Sequence, residues 1–397
     1  MDENIIMKRL LITNCGHSEV PLILASKRLG FYVISIGNNP QALGRKYVDE
    51  YYPVDFSNIK ESLEIARHLK IDAICSSAND FGLITASYIA EKMNLGGHDP
   101  YETTLILHHK HMFKELIKHC KIHTVPASSY ESVATALSDI NEIEFPIIIK
   151  PIDLSGGKGV TVVQSKSELE NALLLAFSLS KAKKVVIERF FPGTQHSMTT
   201  FLLNKKVIFT YSDNEYSYIN PFLVSTSAGP ATDIDKAKNI LINDSEKLAN
   251  YLNLVNGVFH IQYLQNGDDL SIIEITRRCS GDLYPYPVNH ATGITWEDWI
   301  VKAETGMDCS DFPLVQQQGF CGRHCLMADK NGILDNIIVS PEIQKNIFSE
   351  LLWWNKNDII TDYMQQKFGI YVLRYDSKQE MVDKTKRITE LIKVCVV

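Results

Sequence analysis

Several features are scarce in this chain of 397 residues, and each scarcity removes a class of protein. No apolar run approaches the ~18 residues of a membrane span. The opening MDENIIMKRLL lacks the basic-then-apolar layout of a signal peptide. Positive charge is short: 40 Lys and Arg stand against 47 Asp and Glu, a net charge of -7. That argues against a nucleic-acid surface, which is usually strongly basic. It leaves room for a local cluster of Lys and Arg to hold an anion. The eight cysteines are scattered, several of them inside apolar runs. Without an export signal they read as buried free thiols in a cytoplasmic protein. Internal repeats, low-complexity stretches and long linkers are missing. After the first strand there is a single Gly16 and no G-x-G-x-x-G, so a nicotinamide-binding Rossmann unit is poorly supported.

What is present begins with alternation. KRLLITNC reads as a strand, VPLILASKRLG as a helix stopped by Gly30, and FYVISIG as a second strand. NIKESLEIARHLK is a helix, DAICSSAND a strand and loop, and FGLITASYIAEKMNLGG a further helix. Strands alternating with helices predict a doubly wound, parallel α/β domain over residues 1–107. Its ligand end falls at the strand C-termini, near Cys15–Glu19, Asn38–Pro40 and Ser76–Asp80. From His108 onward the pattern changes to α+β. HHKHMFKELIKHCKI is a basic amphipathic helix, FPIIIKPID and the strand after LSGGKG flank a glycine-rich turn, and VFHIQYLQNGDDLSIIEITRR reads as an antiparallel hairpin. A small α+β unit over 313–397 closes the chain.

The stretch IEITRRCSGD, residues 273–282, raises the sharpest question. Charged residues are rarely buried unpaired, yet Glu274, Arg277 and Arg278 end what reads as a buried strand. Because side chains alternate along a strand, Arg277 and Arg278 should point to opposite faces. The bland explanation is an ion pair of Glu274 with Arg278. In LSGGKGVTV, Gly156, Gly157 and Gly159 surround Lys158 between two strands, where glycine lets backbone amides turn toward an anion. The spacing and context are not those of a P-loop. Lys150 ends the apolar FPIIIK strand, where an unpaired ammonium would be costly. Glu188 ends KVVIERFFPG beside Phe190 and Phe191, a setting that suits an adenine with its exocyclic amine. CGRHC at Cys321–Cys325 lacks a second ligand pair at zinc-site spacing, and the histidines around Lys110 read as a solvated helix face.

Taken in order, Lys110, FPIIIKP, SGGKG, VVIERFFPGTQ, HIQY and IEITRRCSGD resemble the ATP-grasp superfamily over nearly the whole chain. The resemblance implies a nucleotide clamp over 108–312, with a small lobe about 123–190, between the N-terminal and C-terminal units. By that resemblance Lys110 and Lys150 are the nucleotide lysines, and Ser155, Gly156, Gly157, Lys158 and Gly159 form the loop over the phosphates. Glu188, with the backbone of Arg189 and Phe191, meets adenine, and Gln195 stands where a ribose-binding acid is usual. Gln262 and Glu274 fall on the metal-ligand positions, Thr276 on the asparagine of E-x-N-x-R, and Arg278 on its catalytic arginine. Two departures stand out: Gln262 is neutral, and Thr276 offers a hydroxyl in place of a carbonyl.

The E-I-T-R-R ending and the C-terminal unit are similar to those of L-amino-acid ligases and carbamoyl-phosphate-synthase-like proteins. What this implies is an ADP-forming carboxylate–amine ligase using ATP and Mg²⁺, with Mn²⁺ able to substitute. Its substrates would be a small-molecule carboxylate and an amine, without nucleic-acid or membrane partners, and a homodimer is an open option. Two alternatives stay open: a bicarbonate-activating enzyme of the carboxylase or carbamoyl-phosphate type, and a nucleotide-binding regulatory protein without turnover.

Overall fold

The computed structural model describes residues 7–139, 144–154 and 158–397. Strands β1 (Arg9–Ile12), β2 (Tyr32–Ile36), β3 (Glu50–Tyr52) and β4 (Ala73–Cys75) form a parallel sheet in the order β3-β2-β1-β4. Helices α1 (Val20–Arg28), α2 (Ile59–Leu69), α3 (Asp80–Met93) and α4 (Tyr101–His108) accompany it. The predicted basic helix is α5 (Lys110–His119), which starts after an extended His109, with α4 ending at His108. Lys110 therefore opens a helix.

A second sheet, in the order β5-β8-β6-β7, forms the small lobe from β5 (Ala127–Tyr130), β6 (Ile147–Pro151), β7 (Thr161–Val163) and β8 (Val185–Arg189). Helices α6 (Val133–Asp139) and α7 (Lys166–Leu179) cover it. In the β6–β7 connection Gly159 has φ +71°, and a Cβ there would meet Pro151 at 2.8 Å, so the turn needs glycine.

The central sheet has eight strands in the order β13-β12-β9-β10-β11-β14-β18-β16. Its members are β9 (Thr194–Leu203), β10 (Lys206–Tyr216), β11 (Thr226–Gly229), β12 (Gly257–Asn266), β13 (Asp269–Thr276), β14 (Phe320–Leu326), β16 (Ile347–Leu352) and β18 (Gly369–Tyr375). Helix α8 (Ile234–Tyr251) packs Leu241 and Leu248 on one face against Met198, Leu202 and Phe259. On the other face, Phe201, Phe209 and Tyr211 join Trp296 and Trp299 of α10 (Trp296–Glu304) and Val288 of α9 (Pro285–Thr292). That same cluster takes in Leu10 and Ile12 of β1, so the N-terminal sheet is anchored here. The residues after 313 extend this sheet by three strands. They also build a three-stranded sheet from β15 (Gly332–Val339), β17 (Ile359–Ile360) and β19 (Ile392–Val396), with α11 (Pro341–Gln344), α12 (Lys378–Lys386) and α13 (Ile388–Leu391). Among the described residues, no helix is long and apolar enough to cross a membrane.

Candidate active site

The small lobe meets the central sheet at a cluster of lysines. Lys150, at the end of β6, lies 3.1 Å from Glu188 Oε2. Lys114, one turn after Lys110 on α5, approaches the same oxygen at 3.3 Å and donates to Thr124 Oγ1 at 2.9 Å. Glu188 faces Lys150 across the β6–β8 pairing, because Ile148 pairs with Glu188 and Lys150 with Val186. Burial works to raise its carboxyl, but the two lysines outweigh burial and hold it below the usual carboxylate range. The Glu188 carboxylate is thus engaged by ammonium groups, whereas the sequence suggested an adenine amine as its partner. Lys110 donates to Leu154 O at 2.9 Å. Burial lowers the Lys110 and Lys114 ammonium groups, against the pull of Glu274 on the first and of Glu188 on the second. Lys158 is exposed, and Arg189 extends into solvent 3.9 Å from Glu144. Phe191 is half-buried just after β8. Ser155, Gly156 and Gly157 lie outside the described residues.

A polar row crosses the floor of the central sheet. Gln262 on β12 lies directly between Glu274 on β13 and Ser197 on β9, and Ser197 pairs in turn with Asp213 on β10. Glu215, two residues further along β10, pairs with Ser227 on β11, which pairs with Arg323 on β14. Glu215 accepts from Gln195 Nε2 at 2.8 Å and from Gln262 Nε2 at 3.0 and 2.8 Å. Its burial and the neighbouring Asp213 push its carboxyl up to about 7. Asp213 is fully buried, accepts from Ser197 Oγ, and is also raised, mainly by burial.

Glu274 is exposed by surface area, yet protein surrounds the cleft it lines. Removal from bulk water and the nearby Asp80 raise its carboxyl, while Lys110, Arg278 and Lys150 oppose the shift. Glu274, Gln262 and Thr276 make an all-oxygen donor set on one strand pair. Thr276 Oγ1 is buried with no hydrogen-bond partner among the described residues. Such a set suits a hard divalent cation such as Mg²⁺.

The paired arginines part company as alternation requires. Arg277 is buried, 2.8 Å from Asp99, and donates to the carbonyls of Val255 and Val258. It ties the sheet to the N-terminal domain. Arg278 turns into the cleft, where its partner is not Glu274 but Asp80, at 2.6 Å. Asp80 opens α3, so the N-terminal domain supplies the counter-ion. Burial acts to raise the Asp80 carboxyl, but Arg278, His108 and Lys110 hold it low. The same desolvation pushes His108 down to about 4.

Beyond Arg278 lies a second hub that the sequence did not reveal. Asp282 binds Lys367 Nζ at 2.6 Å, His17 Nε2 at 3.2 Å and Arg323 Nη1 at 3.4 Å, and its own amide donates to Ser18 Oγ. His17 stacks on Trp353 with ring centroids 4.6 Å apart. Asp282 and Leu283 are consecutive residues at positive φ, +56° and +58°. That backbone is unfavourable for residues with a side chain, and such strain collects at functional sites. Of the three N-terminal loops expected near a ligand, 15–19 and 76–80 reach this cleft. Asn38 and Asn39 instead accept from the backbone amides of Phe56 and Gln41. The CGRHC stretch is strand β14: Arg323 faces the cleft, and His324 bonds Thr226 on the opposite face. An arginine inside an apolar strand was the available signal, by the reasoning applied to Arg278.

A parallel N-terminal sheet, a small lobe whose Lys150 joins the lysines of α5, and a broad antiparallel sheet with an acidic floor together make the ATP-grasp architecture. Residues 109–308 match the family described as carbamoyl-phosphate synthase L chain, ATP binding domain, and the chain belongs to it. The carbamoyl phosphate synthase large chain of Clostridium acetobutylicum is 24% identical over 302 residues, covering 73% of this chain but 27% of that protein. The chain thus spans little more than a quarter of that relative's length. Among solved structures, the L-amino acid ligase from Bacillus licheniformis superposes with a TM-score of 0.82 at 17% identity, over 98% of this chain and 99% of that one. Phosphoribosylglycinamide synthetase from Anaerococcus prevotii gives 0.77 at 20% identity, over 98% and 100%. At these identities the structural likeness speaks for the fold.

Proposed function

We propose that the protein is an ATP-dependent carboxylate–amine ligase. The carboxylate oxygen attacks the γ-phosphorus of ATP, ADP departs, and the amine then displaces phosphate from the acyl phosphate to leave an amide. The observation that carries this reading is the lysine cluster beside Glu274 and Arg278. Lys114 and Lys150 share one carboxylate, Glu188, and Lys110, bonded to the Leu154 carbonyl, lies within electrostatic reach of both Lys150 and Glu188. An anion such as a polyphosphate would offset that desolvated charge.

In this reading Lys110 and Lys150 hold phosphate oxygens, with Ser155, Gly156, Gly157, Lys158 and Gly159 closing over them. Glu188 orients lysines, and adenine is met by the backbone of Arg189 and Phe191 and the Phe191 ring. Gln195 meets the ribose. Glu274, Gln262 and Thr276 would hold Mg²⁺, or Mn²⁺ in its place, which when bound neutralises phosphate charge as the phosphoryl group moves. Arg278, kept in place by Asp80, faces the developing negative charge. The solved L-amino acid ligase of the same architecture supports an amino acid as one substrate.

Incubation with ATP, Mg²⁺ and pooled carboxylic acids and amines tests the proposal. ADP release that needs both pools is the expected result. Release supported by bicarbonate alone would move the protein to the bicarbonate-activating class, and tight ATP binding without release would make it regulatory.

A further inference from the structure

We propose that Glu215 is a positioning residue that turns the side-chain amides of Gln195 and Gln262 so that both present oxygen to the bound nucleotide and its metal. This rests on the site reading above. An ionised carboxylate has acceptors only, whereas a glutamine amide has a donating and an accepting end. Both amides give Glu215 their donating end, Gln195 at 2.8 Å and Gln262 at 3.0 and 2.8 Å. Nitrogen and oxygen leave an amide carbon on diverging bonds, so each Oε1 points away from Glu215.

The strand order sets Gln262 between two carboxylates. Glu215 lies on β10, beyond β9 on one side of Gln262, and Glu274 lies directly opposite Gln262 on β13. With its nitrogen on Glu215, the Gln262 amide leaves its oxygen for a cation held with Glu274 and Thr276. Reversed, it would present NH₂ to a cation, which repels it. Gln195 stands beside Glu215, on the strand between β10 and β12, and its oxygen is likewise left for a diol. A carboxylate at either position would need no such help, because both its ends accept. Glu215 thereby makes neutral glutamines serve where the wider superfamily uses acids. It touches neither substrate nor nucleotide and acts through the two amides.

The test is calorimetric ATP affinity with Mg²⁺ and with EDTA, alongside 2′,3′-dideoxy-ATP, for wild type, Glu215→Gln, Gln262→Glu, the double variant and Glu274→Ala. In Glu215→Gln the amides lose their fixed direction. The strengthening of ATP binding by Mg²⁺ should fall about tenfold, and the preference for ATP over the dideoxy nucleotide should shrink. Gln262→Glu alone sets a second carboxylate against Glu215 and should also weaken binding. In the double variant the amide introduced at 215 donates to the carboxylate introduced at 262. The Mg²⁺ effect should then return to within about threefold of wild type, a coupling that a merely structural role for Glu215 would not produce.

Wild-type Mg²⁺ dependence and dideoxy preference in Glu215→Gln would overturn the proposal. So would a double variant no better than its weaker parent. If Glu274→Ala loses the Mg²⁺ effect and Glu215→Gln keeps it, this inference alone fails. If Glu274→Ala keeps it, the metal placement fails and takes the inference with it.

Discussion

The two ends of the cleft are built differently. At the nucleotide end, Lys150 and Glu188 come from two adjacent strands of the small lobe, and Lys110 and Lys114 from α5, whose Phe113, Leu116 and Ile117 pack with the central sheet. Among the described residues, Lys110 hydrogen-bonds a backbone carbonyl alone, and burial lowers both it and Lys114. At the far end, each cation already has a carboxylate. Arg278 has Asp80, while Lys367 and Arg323 share Asp282, which the His17 ring also contacts. Those partners are drawn from the N-terminal domain, the central sheet and the C-terminal strands. In the proposed reading the first end receives the polyphosphate. The second exists only when three regions assemble, which suits the part of a ligase that selects its acid and amine.

Substitutions at the two ends should separate accordingly. The largest effect is expected at Arg278→Ala, which removes the guanidinium from the developing charge. ADP release with the active substrate pools should drop roughly 10²–10³-fold, with ATP affinity by calorimetry nearly unchanged. Equal losses in both would place Arg278 at the nucleotide end. Lys150→Ala should weaken ATP binding by roughly 2–4 kcal/mol, and an affinity close to wild type would remove the lysine from the phosphates.

Glu188→Gln sharpens the account within the nucleotide end. Both lysines lose their charged partner, so ATP and ITP should weaken together by about 1–2 kcal/mol. A loss confined to ATP would show that Glu188 reads the adenine amine after all. The smallest effect concerns Gln195→Glu. From sequence, a carboxylate facing the ribose diol promises modestly tighter ATP. The geometry reverses that sign, because position 195 lies 2.8 Å from Glu215. Two carboxylates so close disfavour joint ionisation, and ATP should weaken by about 1 kcal/mol. Tighter ATP would mean Gln195 moves away from Glu215 when nucleotide binds.

The same division explains what could be read from sequence. The parallel N-terminal sheet follows from strand–helix alternation, and the opposite facing of Arg277 and Arg278 from strand period alone. FPIIIK and VVIER announced a lysine and a glutamate at strand ends, although not that they bind each other. That required the β6–β8 register, which sets them two residues apart on the same face of adjacent strands. Asp80, Asp282, Arg323 and Lys367 carry no local motif. Asp80 meets Arg278 across 198 residues and His17 meets Asp282 across 265. Such pairs are products of assembly and leave no periodic trace. Glu215 escaped notice because it sits in an ordinary hairpin strand, and only the cross-strand order brings two glutamines to it.

The claim that ATP activates a carboxylate is tested most directly by oxygen transfer. Carboxylic acids labelled with ¹⁸O in the carboxyl group would be supplied with ATP, Mg²⁺ and amines, and the released phosphate analysed by mass spectrometry. An acyl phosphate hands one carboxyl oxygen to phosphate when the amine attacks, so phosphate carrying a single ¹⁸O, in step with ADP and a new amide, is the expected result. Release of ADP with unlabelled phosphate would mean that water, not a carboxylate, receives the phosphoryl group, and would contradict the assignment.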